Sequence, residues 1–311
     1  MLIASMSYAF GEVGCSSAYE VIDNCMCCQP VCCGQGFISA DLLYWRAFES
    51  GLDSCVTSET SDIVLSDGKI ISRFKGIDED LHFRWNPGFR ISAGCAFECY
   101  NWDVAESWTH FHSRAHGSVN NGNRVCWLID FDCLDFVAGY EYNLSPCFAL
   151  KPFGGLRGSR IDQKSRVAEL SGEIDSSPET EMLITHTNHK EKFMGIGPLM
   201  GLKVDWNVGC DIDLFVGASF SWMYGSFDVR LLDCVVSSDV VDICKIRKRL
   251  NASLACADVE LGIRWRKCFC NCLRLVLQLG LEHHRYFDYN RFCRYGDLSF
   301  DGLNFSASIG F

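Results

Sequence analysis

The sequence predicts an all-β chain: a transmembrane, antiparallel, up-and-down β-barrel of about ten strands, within a range of eight to twelve. Three observations predict it. Some ten stretches alternate apolar and polar residues with the strand period of two. They run longer than the ~5–6 residues usual in soluble sheets, and they set Gly, Ser and charges of both signs against an apolar face with aromatics near its ends. The connections between them go long, short, long, short. Spanning barrels do this, with long extracellular loops and short periplasmic turns. A sheet in lipid has to close, because no water is there to satisfy an open edge.

The elements follow in chain order. Residues 1–10 read MLIASMSYAF, an apolar run ending in Ser7-Tyr8-Ala9, the small-x-small pattern before a cleavage site. With no basic start, residues 1–9 read as a truncated signal peptide; an ordinary N-terminus is the alternative. Residues 10–36 have no apolar periodicity and read as a cysteine-rich periplasmic tail. The barrel is expected over 37–311. Its strands are expected at 37–48, 81–98, 101–112, 131–143, 147–161, 189–206, 209–226, 249–266 and 271–287, and in a last segment ending at Phe311.

The last segment is the clearest: Leu303, Phe305, Ala307, Ile309 and Phe311 share one face, and Asn304, Ser306, Ser308 and Gly310 the other. Leu273–Leu281, Ile212–Tyr224 and Met194–Trp206 repeat the parity, as do Leu81, Phe83, Trp85, Phe89 and Ile91. The pattern is weaker in 37–48. It is weakest in 101–112, where Glu106 breaks the apolar face. The long connections fall at about 49–80, 113–130, 162–188, 229–248 and 288–296. The short ones lie near Tyr100, Asn143–Pro146, Asn207–Gly209 and Lys267–Asn271.

Composition excludes other classes. The net charge of −11 argues against nucleic acid, which calls for a basic face. No run of ~18 apolar residues marks a membrane helix. With 48% hydrophobic residues the chain is not disordered.

The chain has 20 cysteines, which points to an oxidising compartment or to metal. By the topology, Cys15, Cys25, Cys27, Cys28, Cys32, Cys33, Cys99, Cys147, Cys210, Cys268, Cys270 and Cys272 gather on the periplasmic side, with Cys95 close by. They are candidates for disulfides, some of them to other chains. Cys55, Cys126, Cys133, Cys234, Cys244 and Cys293 are assigned to loops or their edges, and Cys256 to a strand. Structural zinc favours Cys-x2–4-Cys pairs converging in fours. Cys28–Cys32 offers such spacing, but in an exported chain disulfides are favoured over metal.

Candidate lumen-lining charges are Arg90, Lys151, Arg157, Lys203, Asp213, Asp258, Glu260, Arg264, Arg274 and Glu282. Such residues either line water and tune what passes or pair across strands and fill a closed lumen. Ten strands make a narrow barrel, since about eight leave room only for side chains. No GxSxG, HExxH or phosphate-binding glycine loop occurs, so neither an enzyme nor a cofactor is expected. His283 and His284 point to opposite faces of a strand and read as two interfacial histidines. His110, His112 and His116 read as exposed loop residues.

The segment GFISADLLYWRAFESGL (36–52) resembles the opening strand of the pore-forming outer-membrane family of Legionella-type and chlamydia-like bacteria. FRWNPGFRISAGC (83–95), LKPFGGLRGSRI (150–161) and the terminal Phe311 are similar to later parts of that family. The resemblance implies export by a signal peptide to the bacterial outer membrane, Phe311 as a signal to the barrel-assembly machinery, and passive diffusion of small hydrophilic solutes or ions. The cysteine load is similar to that of the chlamydial major outer membrane proteins, which implies the alternative of a structural envelope protein joined to other envelope proteins by disulfides. The expected partners are outer-membrane lipid, the assembly machinery, other envelope proteins and, left open, further copies of the chain.

Overall fold

The computed structural model describes residues 34–50, 61–64, 70–73, 83–97, 100–119, 123–172, 182–236, 241–269, 273–290 and 296–311. The strands described are β1 (Gln35–Glu49), β2 (Ser61–Val64), β3 (Ile70–Arg73), β4 (Trp85–Phe97), β5 (Trp102–Val119), β6 (Asn123–Tyr140), β7 (Tyr142–Ser145), β8 (Phe148–Gly172), β9 (Met182–Gly209), β10 (Ile212–Val236), β11 (Val241–Phe269), β12 (Leu273–Asn290) and β13 (Gly296–Gly310). β2 and β3 form a hairpin of their own within the first long connection, and β7 prolongs β6 into the turn before β8. The other ten strands form one antiparallel sheet. It closes where β6 meets β8 and where β1 lies between β4 and β13.

The register sets the geometry of the barrel. One row of directly opposed residues leaves β1 at Phe48 and passes Ser299, Arg285, Ala257, Phe220, Met200, Gly154, Ala138, Val104 and Cys95. It re-enters β1 at Gly36, twelve residues lower. A shear of twelve over ten strands tilts them by about 40° from the axis.

The outer wall is the expected apolar one. Ile38, Leu42, Met194, Ile196, Met200, Val216, Trp222, Leu279, Leu303 and Phe305 stand exposed on it. Trp102, Trp206 and Phe311 flank this band on the turn side, and Tyr44, Trp85, Trp108, Trp222 and Tyr224 on the other. Tyr44 stacks on Trp85 at 5.5 Å. The β9–β10 turn is tight: Cys210 and Asp211 take φ of 55° and 62°, both positive as in the primed turns that match the sheet's twist.

Several expectations are corrected. The loops placed at 113–130, 162–188 and 229–248 are mostly strand, because β5–β6, β8–β9 and β10–β11 continue as long hairpins beyond the lipid band. There both faces meet polar surroundings, so Arg160, Lys164, Lys190 and Arg230 break the alternation while the ladder goes on. Cys126 and Cys133 therefore lie on β6, Cys234 on β10 and Cys244 on β11. His110, His112 and His116 lie on β5. Phe83, assigned to the lipid face, is buried beside Ala115. Leu81, residues 1–9 and all but the end of 10–36 fall outside the described residues, and β1 already begins at Gln35.

Candidate functional site: the lumen

Inward-facing residues form three layers. On the turn side is a cavity of about 490 Å³, lined among others by Asp103, Lys151, Lys203, Asp205, Glu260, Arg264 and Arg274. Charges pair around its wall: Lys151 with Asp103 at 2.7 Å, Lys203 with Glu260 at 2.6 Å and Arg264 with Asp205 at 2.8 Å. Asp213, fully buried near the turns, pairs with Arg266 at 2.5 Å and accepts a hydrogen bond from Asn207.

The cavity ends at a belt of charges that crosses the barrel. Arg157 on β8 donates twice to Asp135 on β6, at 2.8 and 2.7 Å, and once to Asp258 on β11, at 2.5 Å. His284 on β12 joins Asp258 at 2.8 Å to Glu282 at 3.2 Å. Arg90 on β4 donates to both Glu282 oxygens, at 2.9 and 3.0 Å, and reaches Asp41 on β1 at 3.4 Å. Ser219 donates to Asp258 and Asn304 to Glu282. A buried charge is tolerated only when paired and hydrogen-bonded, and each carboxylate of this belt accepts at least one such bond. Fork-shaped guanidiniums suit the task, because each can engage two carboxylates at once.

Above the belt, on the hairpin side, the interior turns apolar. Trp45, Phe111, Phe131, Phe193, Phe227, Tyr286, Tyr289 and Phe300 are buried in one cluster with Leu43, Met223 and Leu254. Ring centroids stand 5.5 Å apart for Trp45–Phe111, 4.8 Å for Phe131–Phe300 and 4.7 Å for Phe193–Phe227. Trp45 lies over both sides of the boundary, 4.8 Å from the His284 ring and 5.8 Å from the Arg90 guanidinium. The lumen is thus polar and roomy toward the periplasm, bridged by charge in the middle, and filled by rings on the outer side.

Of the sequence candidates, Arg90, Arg157, Asp258 and Glu282 come together in the belt. Lys151, Lys203, Glu260, Arg264 and Arg274 line the cavity below it, and Asp213 lies beside that cavity. Sequence reasoning missed the partners Asp41, Asp103 and Asp135. It also misplaced His284, which is a belt residue and not an interfacial one: it faces the lumen between Asp258, directly opposite on the adjacent β11, and Glu282 on its own strand. His283 does face outward, paired with Asp301. The apolar layer was missed as well. Its trace is the run Leu42–Trp45, apolar on both parities, where only one face can meet lipid.

Phe311 is exposed at the turn-side rim and donates its backbone N–H to the Gly36 carbonyl, 2.9 Å away. Cys147 is disulfide-bonded. Cys95, Cys210 and Cys268 are free thiols on the turn side, and Cys133 and Cys256 are free and buried. Cys15, Cys25, Cys27, Cys28, Cys32, Cys33, Cys99, Cys270 and Cys272 lie outside the described residues.

A family described as "Legionella pneumophila major outer membrane protein precursor" matches residues 32–308. No curated protein matches the chain. Among solved structures the chain is similar to the outer membrane protease OmpT of Escherichia coli, with 12% identity over 91% of this chain and 98% of that one, at a TM-score of 0.45. It is also similar to the transport unit of the Escherichia coli autotransporter AIDA-I, with 9% identity over 89% of each chain and a TM-score of 0.31. For a Pseudomonas aeruginosa FadL homologue the identity is 7%, over 89% and 90%, with a TM-score of 0.31.

Proposed function

Because the chain belongs to the Legionella pneumophila major outer membrane protein family, and so is a barrel of the bacterial outer membrane, we propose that it passes small hydrophilic solutes or ions by passive diffusion, from a resting state in which the outer half of the lumen is closed. One observation carries this reading. The periplasmic half is a charged cavity of about 490 Å³ leading straight to the Arg157–Asp258–His284–Glu282–Arg90 belt. A barrel that served only as an anchor has no use for charges set around such a space, since apolar side chains of the same volume would fill it at least as stably. Both signs are paired along the wall, so only weak ion selectivity is expected.

Single-channel recording of the refolded full chain in a planar bilayer tests the reading. The expected record is brief, small steps for the parent and longer or larger ones for Trp45→Ala/Phe300→Ala, which opens the ring layer. Silence from both proteins, with barrel folding verified by heat-modifiable gel migration, overturns it.

The exposed, free thiol of Cys210 at the periplasmic rim favours a second reading, a structural role with cross-links to other envelope proteins. High-mass species on a non-reducing gel that collapse with reductant and are lost in Cys210→Ser support it. A sharp monomer band counts against it.

A further inference from the structure

The outer wall changes character where β8–β11 rise out of the lipid band. In one row of directly opposed residues, Lys164, Lys190, Arg230 and Arg247 stand side by side on four adjacent strands. Like charges directly opposite one another destabilise a sheet, so strand pairing does not account for this row. The row beneath reads Asp162, Lys192, Asp228 and Arg249. Asp228 accepts from both Arg230 and Arg247 at 2.8 Å, and the two guanidiniums hold its carboxyl well below the usual carboxylate range. Asp162 lies 3.6 Å from Lys190 and 3.7 Å from Arg160. Each acid is therefore shared between two cations, while Lys192 and Arg249 have no ion pair among the described residues. On the neighbouring β12 the outward charges lie lower, in the row of Ala257 and Phe220, and are balanced: Arg285 meets Asp297 at 2.5 Å, and His283 meets Asp301. This one-sided cationic excess sits on a chain with a net charge of −11.

Height identifies what the patch meets. Tyr224 is the last outward aromatic on β10, and Arg230 follows six residues later. At ~3.3 Å per residue and a tilt of ~40°, that is about 15 Å along the membrane normal. The headgroup zone of a phospholipid bilayer adds only ~5–8 Å beyond the hydrocarbon on each side. The row thus stands above glycerophosphate level, at the height of sugars, while long Lys and Arg stems reach back toward the membrane.

We propose that the outer face of β8–β11 binds the phosphorylated saccharide headgroup of an outer-leaflet glycolipid, with Lys190 and Arg230 at the centre of the phosphate contacts. The phosphates supply the anions that the row lacks, and the acyl chains lie against the apolar wall below Met194 and Tyr224.

The test uses the refolded full chain in neutral detergent, with binding of diphosphoryl lipid A followed by native mass spectrometry. Lys190→Gln/Arg230→Gln is expected to weaken binding by roughly thirty-fold, the effect of two near-surface charges at ~1 kcal/mol each. The double variant relieves repulsion and is expected to fold, which heat-modifiable migration checks. Arg285→Gln, in a balanced pair below the patch, is expected to bind like the parent. Dephosphorylated lipid A and phosphatidylglycerol are both expected to bind poorly. The proposal is overturned if the double variant binds within about three-fold of the parent or if dephosphorylated lipid A binds as well. It is also overturned if phosphatidylglycerol matches lipid A, which marks a general anionic surface, or if millimolar inorganic phosphate displaces the lipid completely, which marks a free-phosphate site.

Discussion

Replacing Arg157 by Gln gives the sharpest test of the lumen's architecture. The guanidinium is 8% exposed and joins Asp135 and Asp258 through three bonds of 2.5–2.8 Å. Its removal leaves two inward carboxylates facing each other. Asp258 keeps His284 and Ser219 at 2.8 Å each and the Cys256 thiol at 3.3 Å; among the described residues Asp135 keeps only the weak Cys133 thiol at 3.4 Å. Breaking a buried pair from one side costs about 3–5 kcal/mol, and the surviving partners of Asp258 put the expected loss near ~3 kcal/mol. A water-filled pore at this level predicts instead less than ~1 kcal/mol, the value for exposed pairs. The assay is urea unfolding in lipid vesicles, followed by tryptophan fluorescence. The companion variant Asp135→Asn/Arg157→Gln/Asp258→Asn removes the stranded charges and is expected to recover most of the loss. If Arg157→Gln shifts stability by under ~1 kcal/mol, or if the triple variant is no better than the single one, the belt is not a desolvated layer and the closed-lumen reasoning fails.

Three further outcomes are expected. Glu106 faces outward within the lipid band between Ala93 and Phe136. Acidic groups there are unfavourable, though less so than Lys or Arg, so Glu106→Leu should stabilise the folded barrel by ~1–2 kcal/mol in the same unfolding assay, and a loss would point to an unseen partner for this carboxylate. At Gly155 on β8 an added Cβ would stand 1.9 Å from the Phe136 carbonyl oxygen. Gly155→Ala should therefore weaken the β6–β8 seam by ~1–3 kcal/mol, read as a lower melting temperature. Phe300→Ala, in the middle of the ring layer, should cost ~3–5 kcal/mol while lengthening channel openings, and unchanged openings would place the barrier elsewhere.

The fold was legible because lipid imposes one rule on every strand. Wherever one face meets hydrocarbon and the other does not, parity survives. The clean alternation of Leu273–Leu281 and of Leu303–Phe311 is borne out as an apolar outer wall. The rule lapses in two places, and there the reading failed. Above the band no solvent contrast remains between the faces, so Asp162–Gly172 and Met182–Asn188 read as loop although the ladder runs through them. Inside the outer half of the barrel the contrast is lost the other way, because Trp45, Phe111 and Phe300 are as apolar as the lipid-facing residues beside them. Individual lumen charges could be read from parity alone. Their pairing could not: Arg157 meets Asp258 across β9 and β10, and Arg90 meets Glu282 across β1 and β13. Such partners follow from shear and curvature, which no single strand encodes.

Shear also limits how such a barrel can conduct. Ten strands with a shear of twelve enclose little more than the minimal interior of an eight-stranded barrel, far from the water channel of sixteen or eighteen strands. Enlarging the ring is ruled out by the continuous ladders on both seams. Conduction therefore has to come from moving side chains, not strands. The two closing layers differ in what that movement asks. Rings such as Phe300 and Phe131 can swing while leaving no polar group stranded. The belt can part only if each guanidinium keeps a carboxylate on its own side: Arg157 with Asp135 on the adjacent strand, and Arg90 with Asp41 on the adjacent strand. The belt is built this way, since both arginines have one neighbour-strand acid and one across the lumen. His284 lies on one wall with both acids, bonded to Asp258 on the adjacent β11 and to Glu282 on its own β12. The bonds that cross the lumen are Arg157–Asp258 and Arg90–Glu282, and when they part His284 stays bonded to both carboxylates left on the β11–β12 wall. His284→Gln, which leaves those two carboxylates without their shared partner in the open state, should then shorten channel openings, and openings longer than the parent's would contradict the assignment.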